Sequence, residues 1–231
     1  MDRQLPPSRT GYARQVSISD VPAGTPGLFI TFEGGDGAGK STQAAKLTAA
    51  LESSGHTVVR TREPGGTPVG EQLRSLVLEH GNGEIDARTE ALIFAASRAA
   101  HVAQVIRPAV ERGEVVVCDR FIDSSVAYQG SGRSLGTDDV RQLNIWATEG
   151  FTPDLTVLLD VDPGQGRLRR TANEAAEDRL ESEPDTFHLR IRRAFLEQAR
   201  TEPNRYLVLD AGRPVEELAA TILAKVQELL P

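Results

Sequence analysis

Cysteine is almost missing from this 231-residue chain. Cys118 stands alone, which excludes an intramolecular disulfide and a cysteine-built zinc site and fits a reducing compartment. Long apolar runs are missing too: none approaches the roughly 18 residues of a membrane-spanning helix. Histidine is scarce, and none of the four (His56, His80, His101 and His188) stands at metal-ligand spacing from another, so no role is assigned to them. Positive charge is not in excess. With 26 Lys and Arg against 33 Asp and Glu, the formal charge of -7 disfavours a broad nucleic-acid face but leaves room for a local basic pocket that takes a small phosphorylated ligand. No apolar segment precedes Leu28, so no secretory signal is expected. The expectation is a cytoplasmic protein without nucleic-acid or membrane partners. Trp146, the single tryptophan, and Cys118 read as core residues.

What is present is an ordinary globular composition, 39% hydrophobic and 26% charged, in a chain of a length that suits one core. Residues 1–26 carry Pro6, Pro7, Gly11, Pro22, Gly24 and Pro26 without sustained periodicity and read as a flexible N-terminal extension. From residue 27 to residue 231 the chain reads as a single domain in which short apolar runs alternate with helical patterns. Strands are expected at 28–33, 57–62, 114–118, 155–160 and 205–209. Helices are expected at 39–54, 69–79, 88–112, 137–149, 163–171, 185–200 and 214–229, with Gly55 and Gly113 as stop signals. The pattern predicts a three-layer α/β fold, a five-stranded parallel sheet with helices on both faces.

The segment Gly34, Gly35, Asp36, Gly37, Ala38, Gly39, Lys40, Ser41 satisfies G-x-x-x-x-G-K-[ST] between an apolar strand and a helix. Glycines let successive N–H groups face the phosphates of ATP, the helix start adds its positive dipole end, and Lys40 reaches the β and γ oxygens. Ser41 would give its hydroxyl to Mg²⁺, with Thr42 closing the ATP-binding stretch. The fold is thus expected to be that of the P-loop NTPases.

A second apolar strand ends in Asp119-Arg120, on the rim where ligands bind in parallel sheets, and Asp119 is a further candidate for the magnesium ion. Beside the second strand, T-R-E-P-G-G-T at 61–67 forms another turn on that rim. Arg62 suits a phosphate because its planar fork donates two parallel hydrogen bonds. Glu63 is placed to orient that fork. Two phosphate sites on one rim point to transfer between them.

The phosphate loop, the T-R-E-P-G-G-T string, Phe94 with Arg98, Asp119-Arg120-Phe121 and Tyr128-Gln129-Gly130 together resemble the bacterial thymidylate kinases in order and spacing, from Leu28 onward. The resemblance implies ATP and thymidine monophosphate as substrates, Mg²⁺ as cofactor and a homodimer. It implies that Arg62 binds the acceptor phosphate with Arg120 close by, that Phe94 stacks on the pyrimidine, and that Arg98 donates to its carbonyl. Gln129, Ser124 and Ser125 are the remaining base and sugar contacts. Asp36 is similar to an acidic residue near sugar and metal. Gly37 stands where some relatives place an arginine; those with a small residue there supply a basic residue from a mobile lid. Here the lid spans 166–183 with Arg167, Arg169, Arg170 and Arg179, and Arg170 and Arg179 are equal candidates for the catalytic one. The stretch 171–177 is less basic than the family pattern.

A phosphate oxygen is already largely ionised at neutral pH, so such a transfer requires no strong general base, and no Ser/His/Asp set is found. Catalysis would rest on alignment and on charge neutralisation by Lys40, Mg²⁺ and a lid arginine. Two alternatives stay open. A kinase for another nucleoside monophosphate, or for a nucleoside with Asp36 or Glu33 as base, differs in what Arg62 and Arg98 select. A nucleotide-dependent ATPase switch would need no second phosphate pocket. The small residues Ala91, Ala95, Ala96, Ala99, Ala100 and Ala103 on the long helix suit either a dimer face or a buried helix.

Overall fold

A computed structural model describes residues 26–171 and 177–230, apart from side chains at Thr171. The 1–26 extension therefore lies, but for its last residue, outside the described residues, as does part of the 166–183 segment. Five strands, β1 (Phe29–Glu33), β2 (Val58–Arg62), β3 (Val115–Asp119), β4 (Leu155–Asp160) and β5 (Tyr206–Asp210), form one sheet in the order β2-β3-β1-β4-β5. Every pairing is parallel. The chain leaves β1 to one side and recrosses it to reach β4, so the strand order reverses at the centre, where a crevice opens beyond the carboxyl ends.

Strand periodicity sorts the core into layers. Ile30, Phe32, Val115 and Val117 face one side, packing on Ala44, Leu47 and Leu51 of α1 (Lys40–Ser53) and on Leu218 and Ile222 of α9 (Val215–Gln227). Phe29, Val116 and Cys118 face the other, against Val102, Ile106 and Ala109. On that second side Phe187, Ile191 and Phe195 of α8 (Asp185–Thr201) join Phe94 and Tyr128. Each Val, Leu, Ile or Phe among them stabilises the fold by about 1.5–3 kcal/mol through burial. Among the described residues no helix is long and apolar enough to cross a membrane.

The departures from expectation have local causes. The long helix is α3 (Ala87–His101), then a π-helical stretch Val102–Ile106, then α4 (Arg107–Glu111). Pro108 has no N–H to bond back one turn, and the widened turn absorbs that loss. A helical stretch was not expected between β3 and residue 132, yet α5 (Ile122–Ser125) runs into a second π-helical stretch, Val126–Gly132. Its serines and glycines are poor helix formers, and burial against α3, α8 and α6 (Thr137–Ala147) overrides that preference. Trp146 is not core: it is 80% exposed. On α6 the buried positions are Val140 and Asn144, four apart, and Trp146 lies two residues past Asn144 on the opposite face.

Candidate active site

The phosphate loop joins β1 to α1 at the sheet's centre. Gly39 caps α1 in the left-handed region, φ 92°. Gly37 is also left-handed, φ 78°, and a Cβ there would lie 2.2 Å from the Gly166 carbonyl oxygen of α7 (Pro163–Thr171). A side chain at 37 would push α7 off the loop, which accounts physically for a glycine there. Lys40 is buried and donates to the Gly34 and Gly35 carbonyls at 3.1 and 2.9 Å. Burial, then neighbouring Arg120, draws its pKa below the ordinary lysine value. The Ser41 hydroxyl donates to Asp119 Oδ2 at 2.7 Å.

A cavity of about 690 Å³ covers this loop from Asp36 to Gln43, with Arg62, Arg169, Arg170 and Arg213 in its walls. A smaller one, about 150 Å³, is walled by Phe94, Arg98, Ser124, Ser125, Tyr128 and Gln129. Asp36, Glu63, Arg74, Arg120 and Glu181 line both. The two spaces therefore meet at the Asp36–Arg120 pair.

Arg120 follows β3 at φ 70°, a left-handed conformation costly for any residue that carries a Cβ and held here by the contacts of its side chain. Its guanidinium donates to Gly34 O, Ser124 Oγ and Asp36 Oδ1, and lies over the Tyr128 ring at 5.1 Å. The Tyr128 hydroxyl donates to Asp36 Oδ2 at 2.8 Å. Burial opposes the ionised form of Asp36, but Arg120, followed by Lys40, outweighs it and holds this carboxyl well below the usual range. Glu33, at the end of β1, behaves oppositely: burial, then Asp123, pushes its pKa up to about 7. It accepts from Phe121 N, Ser124 N and Ser124 Oγ, so it ties down the start of α5 and, through Ser124, Arg120.

The 61–67 turn is fixed by its own sequence. Thr67 accepts from Gly70 N and Pro68 takes the first position of α2 (Pro68–Leu78), the favoured place for proline. Arg62 is 46% exposed on its side chain and points to the larger cavity. Its fork is held by Glu71 Oε2 at 2.9 Å and Pro64 O at 2.8 Å. The expectation that Glu63 orients Arg62 is corrected: Glu63 instead accepts from Arg98 Nε at 2.6 Å and binds His101 Nδ1 at 3.0 Å. The other His101 nitrogen meets Thr61 Oγ1 at 2.7 Å, so this histidine cross-links the turn to α3.

Arg98 is 1% exposed. Of its five N–H donors, four go to Glu63, Ser125 Oγ, Asn144 Oδ1 and Phe121 O, leaving one Nη2 hydrogen for the small cavity it lines. The hydroxyls of Ser124 and Ser125 face Glu33 and Arg98, so they brace Arg120 and Arg98. Arg170 and Arg179 part company. Arg170 lines the large cavity, paired with Glu177 at 3.2 Å, and its buried Nε makes no hydrogen bond. Arg179 turns away, donating to Val77 O at 2.8 Å and to Glu90 Oε2 at 2.5 Å. The structure brings Asp36, Lys40, Arg62, Arg120 and Arg170 around one space and leaves Arg179 outside it.

Sequence reasoning passed over Arg74, Glu90 and the Asp36 bond of Tyr128. Arg74 lines both cavities and donates to Pro64 O at 3.0 Å. Its position three residues after Glu71, on the helix that the 61–67 turn launches, was a usable signal.

A phosphate loop at the switch point of a parallel sheet, with a second cavity sharing its basic rim, defines a P-loop phosphotransferase. The comparisons narrow this. The family model for thymidylate kinase matches residues 32–222. A thymidylate kinase of Leifsonia xyli subsp. xyli is 57% identical over 206 residues, 89% of this chain and 97% of that one. One from Deinococcus radiodurans is 54% identical over 87% of this chain and 97% of its own length. The crystal structure of thymidylate kinase from Ehrlichia chaffeensis superposes with a TM-score of 0.71 at 34% identity, covering 87% of this chain and 99% of that chain. The chain belongs to the thymidylate kinase family.

Proposed function

We propose that this chain transfers the γ-phosphoryl group of ATP to thymidine 5′-monophosphate, giving the diphosphate and ADP. The observation that carries the reading is the pair of cavities joined at Asp36–Arg120: a basic one over the phosphate loop and a small one walled by an aromatic ring, an arginine and an amide. ATP occupies the first, with its phosphates against Gly34–Thr42. The pyrimidine occupies the second, stacked on Phe94, with the remaining N–H of Arg98 directed to a ring carbonyl. Its phosphate lies at the junction, held by Arg62, Arg120 and Arg74. Acceptor oxygen and γ-phosphate are thereby brought together without a general base. Asp36 acts by holding Arg120 in place.

Lys40 and Arg170 offset the charge that spreads over the moving phosphoryl. Segment 166–183 is the lid, and its closure expels water from this space. Ser41 and Asp119 offer adjacent hard oxygen donors, which fits a magnesium ion bound mainly through phosphates and water. Held there, it would offset negative charge on the phosphates. The reading extends to a dimer: Leu92, Ala96 and Ala103 form an exposed line on the long helix, whereas Ala91 and Ala95 face inward. With Trp146 exposed on adjacent α6, this face suits a second copy. The location we infer is cytoplasmic.

Coupled ADP release against a panel of nucleoside monophosphates and nucleosides tests the acceptor. Thymidine monophosphate should give the highest rate, and Arg62→Ala should raise its KM by roughly 10–100-fold, the loss of one charged hydrogen-bond pair, with ATP binding intact. Another preferred monophosphate would overturn the substrate, and no stimulation by any acceptor would favour an ATPase switch. Light scattering on the same preparation should give twice the chain's mass.

A further inference from the structure

Glu90, near the start of α3, is a fully enclosed carboxylate, 0% exposed. Three chains of contact converge on it. Gln129 Nε2 donates to Oε1 at 2.9 Å; Arg133, at the end of the 126–132 stretch, donates through Nε and Nη2 at 3.2–3.3 Å; and Arg179 donates to Oε2 at 2.5 Å. Arg133 also reaches Glu183 Oε1 at 2.5 Å, a second tie to the same segment.

The chemistry of this hub fixes something that geometry alone leaves ambiguous. A carboxylate gripped by two guanidinium groups offers only acceptors, so the amide of Gln129 must turn its NH₂ toward Glu90. The Gln129 oxygen accepts no hydrogen bond among the described residues, and Gln129 lines the small cavity. The cavity is therefore given an acceptor from Gln129, and it is also lined by Arg98 with its one remaining donor. A thymine or uracil ring presents the complement, an N3–H donor beside the O4 acceptor. Cytosine presents the reverse, a bare N3 beside an exocyclic NH₂, and meets acceptor with donor on neither atom.

We propose that Glu90 is a positioning residue that sets the polarity of the Gln129 amide, and so selects pyrimidines carrying N3–H, while the same carboxylate ties that setting to segment 177–183 through Arg179. This deepens the reading of the small cavity as the pyrimidine site and rests on it. Base choice and seating of the segment are then coupled: the carboxylate that aims the base-reading amide also anchors one end of the lid.

The test uses the full chain with Glu90→Gln, whose own amide can donate to Gln129 and let it flip. Two readouts are taken. The first is the ratio of kcat/KM for thymidine monophosphate to that for deoxycytidine monophosphate. It should fall by roughly tenfold or more, about the worth of one hydrogen bond to a charged or buried partner. The fall should come from a raised thymidine monophosphate KM, with kcat and the ATP KM little changed. The second is the NMR signal of the Gln129 side-chain amide, identified by its loss in Gln129→Leu. In the wild type without substrate its protons should exchange slowly with water, and in Glu90→Gln that protection should be lost. Where Glu90→Gln fails to fold, Glu90→Asp retains the charge for both arginines but withdraws the acceptor, and the same two changes are expected. An unchanged ratio, or an amide equally protected without the carboxylate, overturns the role of Glu90. A wild-type chain that ignores thymidine monophosphate yet shows the protected amide overturns the substrate reading instead.

Discussion

On the phosphate-loop side, one contiguous stretch from Asp36 to Gln43 lines the cavity, and its lysine folds back onto the carbonyls of Gly34 and Gly35 in the same loop. On the acceptor side, Arg98 binds Glu63, Ser125 and Asn144, Glu90 binds Gln129, and Tyr128 binds Asp36, so the buried polar contacts join residues that are distant in sequence and lie on different elements. The first half is set by local backbone conformation, where glycines tolerate left-handed φ. The second half exists only once the helices have packed. Damage to it should therefore register as lost stability first and lost chemistry second, and damage to the loop should do the reverse.

The largest expected effect breaks the acceptor network. Arg98→Met removes the guanidinium that pairs with Glu63, leaving a buried carboxylate and the Asn144 and Ser125 oxygens short of donors. Loss of one partner of a buried pair costs about 3–5 kcal/mol, read from denaturant unfolding. A cost under about 1 kcal/mol would show that the network contributes position but little stability. The next effect is the mirror case. Lys40→Ala should lower kcat by about 10²–10³-fold, the worth of one preorganised charge at the moving group. Its unfolding free energy should change far less than that of Arg98→Met, because its present partners are loop carbonyls. A large stability loss with kcat preserved would erase the contrast between the halves.

The same contrast explains what was legible in the sequence. Five strands were placed to within a residue or so because buried parallel strands are apolar runs, and the phosphate loop was readable because its chemistry is written in consecutive residues. The acceptor side was readable only as types. Phe94 and Arg98 could be named, but not that Arg98 spends four donors inside the protein. The partner of Glu63 could not be read either, because Arg98 and His101 are 35 and 38 residues away and meet it only through tertiary packing. Arg170 and Arg179 had equal standing in the sequence. Glu90 separates them in space, and it carried no motif to announce it. The 122–132 helix escaped for the converse reason, poor local propensity rescued by burial.

The smallest expected effect sharpens the comparison at the point where the halves touch. Glu33 and Asp36 stand three residues apart, one bracing α5 and the other gripping Arg120, and their carboxyls are displaced in opposite directions. For Glu33 burial, then Asp123, raises the pKa from 4.5 to about 7, so the folded state binds the proton more tightly than the unfolded chain. Its contribution is complete below about pH 4.5 and is lost as pH rises through 7. For Asp36 the pKa is depressed against the pull of burial by Arg120 and Lys40, so its contribution is present above the ordinary 3.8 and is lost as pH falls. Unfolding free energies measured from pH 4 to 8 should show wild type losing ground to Glu33→Gln with rising pH. The slope cannot exceed about 1.4 kcal/mol per pH unit, the limit for one proton. Against Asp36→Asn the wild-type advantage should be flat across that range and shrink only toward its acid end. A flat difference for Glu33→Gln would mean that the N–H and hydroxyl donors of Phe121 and Ser124 keep Glu33 ionised throughout, and that the acceptor side braces its helix with a charge rather than with a proton.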